Sequence, residues 1–373
     1  MKLSDMAVIS AGQGAPQGES AYGTEGVPFI KAGDLASLLA GKKESEIQHV
    51  NESVAKKHRL KIYPAGSILF AKSGMSCMKG YVYKTDSPCY VVSHLAIIIP
   101  TGCDGDYLKY YFQFHKPNSL VKDAAYPSIS LADIGEMEIN LPTQVEQQKI
   151  VNELEKVTEL IALRKEQLAK LDELVKSRFI ELFGDVKKVD KLINLCNFID
   201  YRGKTPEKTE SGLPFITAKN VKMHHMSFDT QEFISKETYD KVMTRGFPRI
   251  GDVVFTTEAP LGNVCRIPYI ETEFYIGQRI ITMQTEQLEP AYLEYALSSD
   301  DFKRKIAEKS SGSTVTGIRS KLLEQLTIPV PPRAVQKQFT AFVEQTDKSK
   351  LAIQESLAEL ETLKKALMQK YFG

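Results

Sequence analysis

Residues 27–35 read Val-Pro-Phe-Ile-Lys-Ala-Gly-Asp-Leu, and residues 213–221 read Leu-Pro-Phe-Ile-Thr-Ala-Lys-Asn-Val. A second pair of similar blocks follows at 66–70 and 251–255. Three more pairs keep the same order and an offset of 185–189 residues: 107–110 with 292–295, 139–142 with 328–331, and 183–184 with 372–373. Unrelated stretches would not hold one offset over so many blocks. The chain is therefore predicted to be a tandem duplication, with about 185 residues in each copy.

Each copy divides into two parts with different hydrophobic patterns. The longer first part contains short β-branched and aromatic runs separated by Gly and Pro, which is typical of short strands and turns. The second part contains no Gly or Pro before a terminal Gly, and prolines precede it at Pro142 and at Pro331 and Pro332. The sequence thus predicts two mainly β domains and two long helices, in the chain order 1–143, 144–184, 185–332 and 333–373.

The two predicted helices carry apolar side chains at heptad spacing. In the first helix an apolar residue recurs at every seventh position. A second series of apolar positions is interrupted by Arg164 and Arg178. In the second helix the interruptions are Lys350 and Lys364. The side chains expected to pack between the helices are Leu154, Ile161, Leu168, Leu171, Val175 and Leu182 in the first helix and Val343, Ile353, Leu357, Leu360 and Leu367 in the second.

The length of these helices indicates how they pair. A helix of about 39 residues would be roughly 58 Å long, too long to bury its apolar stripe on one small domain. The expected fold class is therefore α+β: a tandem duplication of two mixed, mainly β domains separated by two long helices that pair as an antiparallel coiled coil. The antiparallel direction follows because the chain returns through a whole domain before the second helix begins. The alternative is that each amphipathic helix folds back onto its own domain.

The composition is that of an ordinary globular protein, with 42% apolar residues, 25% charged residues and a net charge of +1. This balance excludes a mostly disordered chain, and no apolar run approaches the roughly 18 residues of a membrane-spanning helix. The N-terminus shows no signal sequence, and the five cysteines contain no C-x-x-C pair, so a cytoplasmic protein with reduced thiols is expected. No segment is strongly basic, so composition alone does not indicate nucleic-acid binding.

Motifs for catalysis are not found in the sequence. There is no G-x-x-x-x-G-K-[ST] phosphate loop, and Gly12-Gln13-Gly14 lacks the third Gly of a dinucleotide motif. The N-P-P-[FY] motif that a methyltransferase would need does not occur. His224 and His225 are adjacent, and neighbouring strand residues point to opposite faces, so a shared metal ion is not expected. The chain is predicted to be non-catalytic, without a metal.

Two similar domains held apart by paired helices suit the reading of two different short sites at a fixed separation. DNA is the ligand for which this separation matters most, because a binder must stay on one face of the duplex. The same architecture would suit a structural adaptor that spaces two protein partners, and this alternative stays open. The unequal loops of the two domains favour a protein that recognises two different DNA sites, since a symmetric adaptor has no need of unequal loops.

The order of these motifs resembles the specificity subunit of Type I restriction–modification systems. The resemblance rests on P-F-I-K-A-G-D-L at 28–35, G-S-I-L-F-A-K-S-G at 66–74 and L-P-T-Q-V-E-Q-Q-K-I-V at 141–151, running into a Leu-rich helix that ends in F-G, all of it twice. It covers essentially the whole chain. It implies two target-recognition domains, each reading one half of a bipartite, asymmetric DNA site. It also implies that the helices dock two copies of an adenine-N6 methyltransferase subunit.

The resemblance implies further partners and the place of the cofactors. Double-stranded DNA and a restriction/translocase subunit would join the complex, and no membrane would take part. S-adenosylmethionine would be bound by the partner methyltransferase, and ATP and Mg²⁺ by the partner endonuclease subunit. This chain is then expected to hold no cofactor of its own.

The residues expected to contact DNA are cations that can meet phosphates or guanine, and polar side chains that can reach base edges. In the first domain these are Lys31, Lys72, Ser73, Lys79 and Tyr126. In the second domain they are Arg202, Lys204, Lys219, Asn220, Thr257, Arg266, Arg279 and Arg319. The Ser- and Gly-rich loop 310–314 could meet phosphate, although a plain loop is an equally good interpretation.

Overall fold

The computed structural model describes residues 1–201, 203, 205–277, 279–310 and 317–373. The chain forms two compact units. The first unit consists of Met1–Arg164 and Ser356–Gly373, and the second of Lys165–Glu355. Each of the two long helices predicted from the sequence is therefore divided between both units.

The first unit contains two sheets. One is an antiparallel sheet in the order β1-β7-β4-β5, and the other has the order β3-β2-β6 with a parallel β2–β6 pair. Its strands are β1 Ala7–Ala11, β2 Val27–Ile30, β3 His49–Val50, β4 Ile68–Ala71, β5 Tyr83–Lys84, β6 Tyr90–Val91 and β7 Leu95–Pro100. Its helices are α1 Asp34–Leu39, α2 Glu52–His58, α3 Gly105–Phe114, α4 Leu131–Gly135 and the first part of α5 Gln144–Phe183. Short 3-10 helices lie at Leu3–Asp5, Glu19–Ala21, Glu44–Glu46, Met75–Lys79 and Pro117–Leu120.

The core of the first unit forms around β7 and α3. Leu95, Ala96, Ile97 and Ile98 of β7 are all 0% exposed. Because successive strand residues point to opposite faces, both faces of this strand are covered. Helix α3 covers one face and begins where the Asp104 carboxylate accepts hydrogen bonds from the first free backbone N–H groups.

The second unit repeats this plan with two additional two-stranded sheets. Its larger sheet has the order β15-β14-β17-β9, its three-stranded sheet has the order β13-β10-β16, and β11-β12 and β18-β8 form two-stranded sheets. The strands are β8 Val189–Lys191, β9 Asn197–Asp200, β10 Leu213–Ile216, β11 Val221–Lys222, β12 His225–Met226, β13 Phe233–Ile234, β14 Val253–Thr256, β15 Val264–Arg266, β16 Tyr275–Ile276, β17 Ile280–Gln284 and β18 Thr327–Pro329. The helices are α6 Leu192–Leu195, α7 Lys236–Val242, α8 Pro290–Ser298, α9 Asp300–Lys309, α10 Ser320–Leu323 and α11 Arg333–Phe372.

Helices α5 and α11 have 40 residues each and run antiparallel within each unit. In the first unit, Tyr371 hydrogen-bonds to Glu153, and Arg164 Nε lies 3.3 Å from Ser356 Oγ. In the second unit, Lys350 Nζ lies 2.5 Å from Asp172 Oδ1. Partners of later residues in α5 come from earlier residues in α11, which defines the antiparallel direction. The predicted α+β duplication with two long helices is confirmed.

A buried glutamine at the start of each long helix occupies the same place in both units. Gln147 donates from Nε2 to the Pro142 carbonyl at 2.8 Å and accepts at Oε1 from the Asp104 N–H at 2.8 Å. Gln336 donates to the Pro331 carbonyl at 2.9 Å and accepts from the Glu289 N–H at 2.9 Å. Both side chains are at most 3% exposed. Each glutamine therefore joins its long helix to the N-terminus of α3 or α8.

Replacing Gln147 by alanine is expected to destabilise the start of α3 by about 1–3 kcal/mol, because the Asp104 N–H loses its buried acceptor. Native-state hydrogen exchange of peptides covering α3 measures this loss. Gln148→Ala is the matched control, since Gln148 is exposed and its side chain bonds to Asn152 within the same helix. Equal exchange rates in the two variants would show that the buried bonds contribute nothing.

Candidate nucleic-acid interface

In the first unit, one connection brings the ends of both sheets together. Residues 92–94 lead from β6 into β7, and the Val92 N–H donates to the Ile30 carbonyl at 3.0 Å. The Lys72 N–H donates to the His94 carbonyl at 2.9 Å, and the Ser93 N–H to the Gln13 carbonyl at 2.8 Å. Lys31 and Lys72 follow β2 and β4 directly, so their main chains meet this connection. We call Gln13, Lys31, Lys72, Ser73 and His94 the first loop cluster.

The side chains of this cluster are polar and reachable from solvent. Ser73 Oγ and His94 Nδ1 are 2.8 Å apart at the surface. Lys31 Nζ lies 2.6 Å from Gln48 Oε1 and 4.1 Å from the centre of the Tyr22 ring. These groups offer a cation, a hydroxyl and an imidazole at one edge, which suits contacts with phosphates and base edges.

Tyr126 and Lys79 are the two other predicted residues of the first unit. Tyr126 is 83% exposed, and the segment that follows it pairs with the cluster, because the Ile129 N–H donates to the Lys72 carbonyl at 2.8 Å. Lys79 ends a 3-10 helix, and its Nζ lies 5.9 Å from the centre of the Tyr81 ring. An exposed aromatic ring next to cations is a surface on which a base could stack.

The second unit builds the same site with different side chains. The Gly277 N–H donates to the Ile216 carbonyl at 2.7 Å, and the Thr257 N–H to the Arg279 carbonyl at 2.8 Å. We call Thr217, Thr257, Glu258 and Arg279 the second loop cluster. Arg279 Nε lies 3.0 Å from Glu258 Oε2, and both side chains are exposed, at 61% and 39%.

A cleft of about 340 Å³ borders the second loop cluster. Cations on its wall are Lys208, Lys219 and Arg279, and Glu232 lies among them. Lys208 Nζ lies 2.8 Å from Glu232 Oε2, whereas Lys219 Nζ is 3.8 Å from Glu232 Oε1 and its side chain is 72% exposed. The cleft therefore presents a positive surface with one carboxylate inside it.

The structure gives Asn220 an internal role that differs from the predicted base contact. Its side chain is buried, and Oδ1 accepts hydrogen bonds from Thr217 N and Oγ1 at 2.9 and 3.0 Å. Nδ2 donates to the carbonyls of Ser227 and Thr230 at 3.0 and 2.8 Å. An amide that makes all four of these bonds organises its own turn, so the structure gives no support to the predicted base contact.

Arg266 is also engaged inside its unit. Its Nε lies 2.6 Å from Glu294 Oε2, and its Nη2 lies 2.9 Å from Asp347 Oδ2. His224 Nδ1 contacts the other Glu294 oxygen at 2.8 Å, and its ring stacks on Tyr295 with centroids 4.2 Å apart. Burial opposes the positive charge, but the two carboxylates raise the pKa of Arg266 above its ordinary value. The position of Arg266 therefore supports a structural role and gives no support to the predicted DNA contact.

Two other predicted residues of the second unit differ in exposure. Arg319 is exposed at the N-cap of α10, and Thr257 is buried within its cluster. Arg202, Lys204 and most of the loop 310–314 lie outside the described residues. Whether any of the thirteen predicted residues touches DNA stays a prediction.

Sequence reasoning missed Gln13, His94 and Glu258, which the structure places in or beside the predicted site. The repeat itself contained a signal for two of them. At an offset of 185 residues, Glu258 stands where Ser73 stands in the first copy, and His94 stands where Arg279 stands in the second. Gln13 gave no such signal, because its role depends on a main-chain contact with residues about 80 positions away.

The predicted contact positions of the long helices differ in how deeply they are buried. Leu154, Val175 and Val343 are 0% exposed, Ile161 is 9% exposed, and the others are half-buried: Leu168, Leu171, Leu182, Ile353, Leu357, Leu360 and Leu367. The polar interruptions find partners there, because Arg164 meets Ser356 and Lys350 meets Asp172. A second set of apolar side chains on these helices faces outward, with exposures between 44% and 57%: Leu160, Leu163, Leu174, Ile180, Leu351 and Leu363.

Reactive groups are scarce in the described part of the chain. It contains no group of three His, Cys, Asp or Glu side chains that could hold a metal ion. Burial raises the pKa of Cys89, Cys196 and Cys265 to about 12, so these thiols stay protonated at neutral pH. Among the described helices, none combines the length and the apolar character that crossing a membrane requires.

The sequence is similar to known proteins along most of its length. The family model of the Type I restriction modification DNA specificity domain matches residues 1–173 and 186–363. The Type I restriction enzyme MjaIX specificity subunit of Methanocaldococcus jannaschii is 26% identical over 194 residues, which cover 50% of this chain and 44% of that protein. The MjaVIII specificity subunit of the same organism is 21% identical over 333 residues, covering 82% of this chain and 75% of that protein.

Two solved structures share the fold. A Type I restriction–modification system S subunit from M. genitalium has a TM-score of 0.61 at 15% identity, covering 100% of this chain and 95% of that one. A chain from a study of complex assembly and conformational transition of the type I R-M system has a TM-score of 0.58 at 19% identity, covering 100% and 96%. Because the family model matches both copies of the repeat, the chain belongs to the family of Type I restriction–modification DNA specificity proteins.

Proposed function

We propose that this protein is the DNA sequence-specificity subunit of a Type I restriction–modification complex in the cytoplasm. Each unit reads one half of a bipartite, asymmetric site in double-stranded DNA. The chain performs no chemistry itself and holds no cofactor. S-adenosylmethionine belongs to its methyltransferase partner, and ATP and Mg²⁺ belong to its restriction/translocase partner.

The observation that carries the proposal is the contrast between a repeated framework and a divergent loop site. Framework side chains recur in both units, such as Tyr107 and Tyr292, whose hydroxyls donate to the carbonyls of Asn140 and Pro329. The two loop clusters occupy the same main-chain position but carry different polar side chains. A protein that reads two unequal half-sites requires this combination.

The outward apolar side chains of the long helices support docking of partner subunits. Leu160, Leu163 and Leu363 belong to the first unit, and Leu174, Ile180 and Leu351 to the second. Apolar side chains grouped on charged helices are typical of protein interaction surfaces. One set in each unit fits two copies of a methyltransferase subunit.

Exchange of one recognition domain tests the proposal. Residues 1–140 are replaced by the matching segment of another specificity subunit, with the residues that contact Phe372 retained: Tyr107, Tyr111, Phe114 and His115. The complex with the methyltransferase subunit is expected to methylate a motif in which one half has changed and the other half is unchanged. Sequencing of methylated adenines in cells that express the complex measures this motif.

The matched control exchanges residues 185–330, and it should change the opposite half. If either exchange altered both halves or neither, the assignment of one half-site to each unit would be wrong. If methylation did not depend on the chain at all, the adaptor function would be the better explanation.

A further inference from the structure

We propose that Arg279 and Glu258 together determine the base sequence that the second unit accepts. Arg279 reads a guanine, and Glu258 reads a cytosine in the same or the next base pair. This inference rests on the proposed function, because it assigns a base preference to a domain that reads DNA.

Three backbone hydrogen bonds show that the pair lies at the repeated site. The Thr257 N–H donates to the Arg279 carbonyl at 2.8 Å, as the Lys72 N–H does to the His94 carbonyl at 2.9 Å. The Ile318 N–H donates to the Thr257 carbonyl at 2.9 Å, as the Ile129 N–H does to the Lys72 carbonyl at 2.8 Å. The Gly277 bond to Ile216 repeats the Val92 bond to Ile30. Glu258 and Arg279 are thus the structural equivalents of Ser73 and His94.

At these two positions the side chains touch each other in both units, but their chemistry differs. Ser73 and His94 form a hydroxyl–imidazole contact of 2.8 Å, and Glu258 and Arg279 an ion pair of 3.0 Å. The strand residues three positions before Ser73 and Glu258 are alike, since Phe70 corresponds to Phe255 and both are at most 1% exposed. The framework is therefore kept while the exposed pair is changed, which is how a shared scaffold acquires two specificities.

The functional groups of the pair match a G·C base pair. A guanidinium donates two parallel hydrogen bonds to O6 and N7 of guanine, and a carboxylate accepts from the N4 amino group of cytosine. The Glu258 carboxylate pairs with Nε of Arg279. The two terminal amino groups of Arg279 carry four further N–H donors. The carboxylate therefore orients the guanidinium while keeping its own acceptor capacity for a base.

The position of the Glu258 carboxylate is unfavourable for DNA binding that does not depend on sequence. It lies beside a cleft whose wall carries Lys208, Lys219 and Arg279, where phosphates would be attracted. An exposed carboxylate weakens this attraction for every sequence. Such a group improves selectivity, because only a base that donates to it compensates for the repulsion.

The backbone at Arg279 supports a role for its side chain. Its φ of +69° lies in the left-handed region, which glycine adopts freely and residues with a Cβ adopt at some energetic disadvantage. Backbone conformations of this kind cluster at active sites and ligand-binding sites.

Arg279→Lys tests the guanine contact, because lysine keeps the charge and removes the planar fork. The complex of the full chain with its methyltransferase subunit is titrated with fluorescent duplexes that carry the mapped motif or one changed base pair. The wild-type complex should favour G·C at one position of one half-site by about 5- to 150-fold. Arg279→Lys should weaken this preference, because a single ammonium replaces the planar fork, and should keep the discrimination at every other position. Arg304→Lys is the matched control, since Arg304 forms an exposed ion pair with Asp301 on α9.

Glu258→Gln tests the second half of the inference. Glutamine accepts and donates, and it forms its best pair of hydrogen bonds with adenine. The preference at the cytosine position should therefore shift toward adenine, and binding to duplexes without the motif should become tighter. An equal loss of affinity on all duplexes in Arg279→Lys, or unchanged discrimination in both variants, would overturn the inference. If the wild-type complex itself bound every duplex equally, the proposed function would be wrong instead.

Discussion

Replacing Phe372 by alanine is expected to destabilise the first unit by about 3–5 kcal/mol. Phe372 ends the second long helix, is 7% exposed and belongs to the core of the first unit. Its ring centre lies 5.2 Å from that of Tyr107, and its carbonyl oxygen lies 2.8 Å from His115 Nε2. Removal of the ring leaves a cavity against α3, which costs dispersion contacts as well as apolar burial.

Hydrogen exchange of peptides from each unit measures this effect locally. Exchange in α3 should accelerate strongly in Phe372→Ala, while peptides of α8 should exchange as in the unchanged protein. Phe183→Ala is the reciprocal variant, because Phe183 ends the first long helix and lies 4.7 Å from the ring centre of Tyr292 in α8. Leu363→Ala is the control, since Leu363 lies on the same helix as Phe372 but is 46% exposed. Uniform acceleration in all peptides would contradict the assignment of each helix end to one unit.

Replacing Arg266 by methionine is expected to destabilise the second unit by about 3–5 kcal/mol, because Glu294 would lose its main cationic partner in a buried position. Glu294 is 1% exposed, and among the described residues the His224 ring would remain as the partner of its carboxylate. The double variant Arg266→Met with Glu294→Met removes both charges and should recover most of the loss.

The double-mutant cycle measures this coupling by urea unfolding followed with hydrogen exchange of α8. Arg304→Met is the matched control, because Arg304 is 76% exposed and its loss should change stability by less than about 0.5 kcal/mol. If the losses of the two single variants simply added in the double variant, Arg266 and Glu294 would not act as a pair. DNA discrimination by the folded fraction of Arg266→Met should be unchanged, since its guanidinium is held inside the unit.

The architecture could be predicted because its signals repeat along the sequence. The constant offset between the two copies predicted the duplication, and the seven-residue spacing predicted which side of each helix is covered. Leu154, Val175 and Val343, which were expected to pack between the helices, are 0% exposed and belong to the cores of the two units. Spacing along a helix is a local property, so a linear pattern is enough to identify the buried side.

The candidate interface could be predicted only in part, because residue type does not reveal what a side chain already contacts. Asn220 has the right chemistry for adenine, yet four internal hydrogen bonds occupy its amide. Glu258 has the wrong charge for a DNA contact when considered alone, yet it is exposed beside Arg279. Residue type alone predicts cations at a DNA interface. The geometry of Glu258 and Arg279 determines which base this pair can recognise.

The sequence by itself determined the duplication, the two long helices and their buried stripes, because each depends on repeats or on spacing within one segment. Only the tertiary structure decided which polar side chains stay at the surface and which unit each helix end stabilises. The contact of His115 with Phe372 joins residues 257 positions apart, and nothing in either segment specifies the other. Such contacts form only when folding brings segments that are distant in the sequence together, and a local sequence pattern does not specify which segments meet.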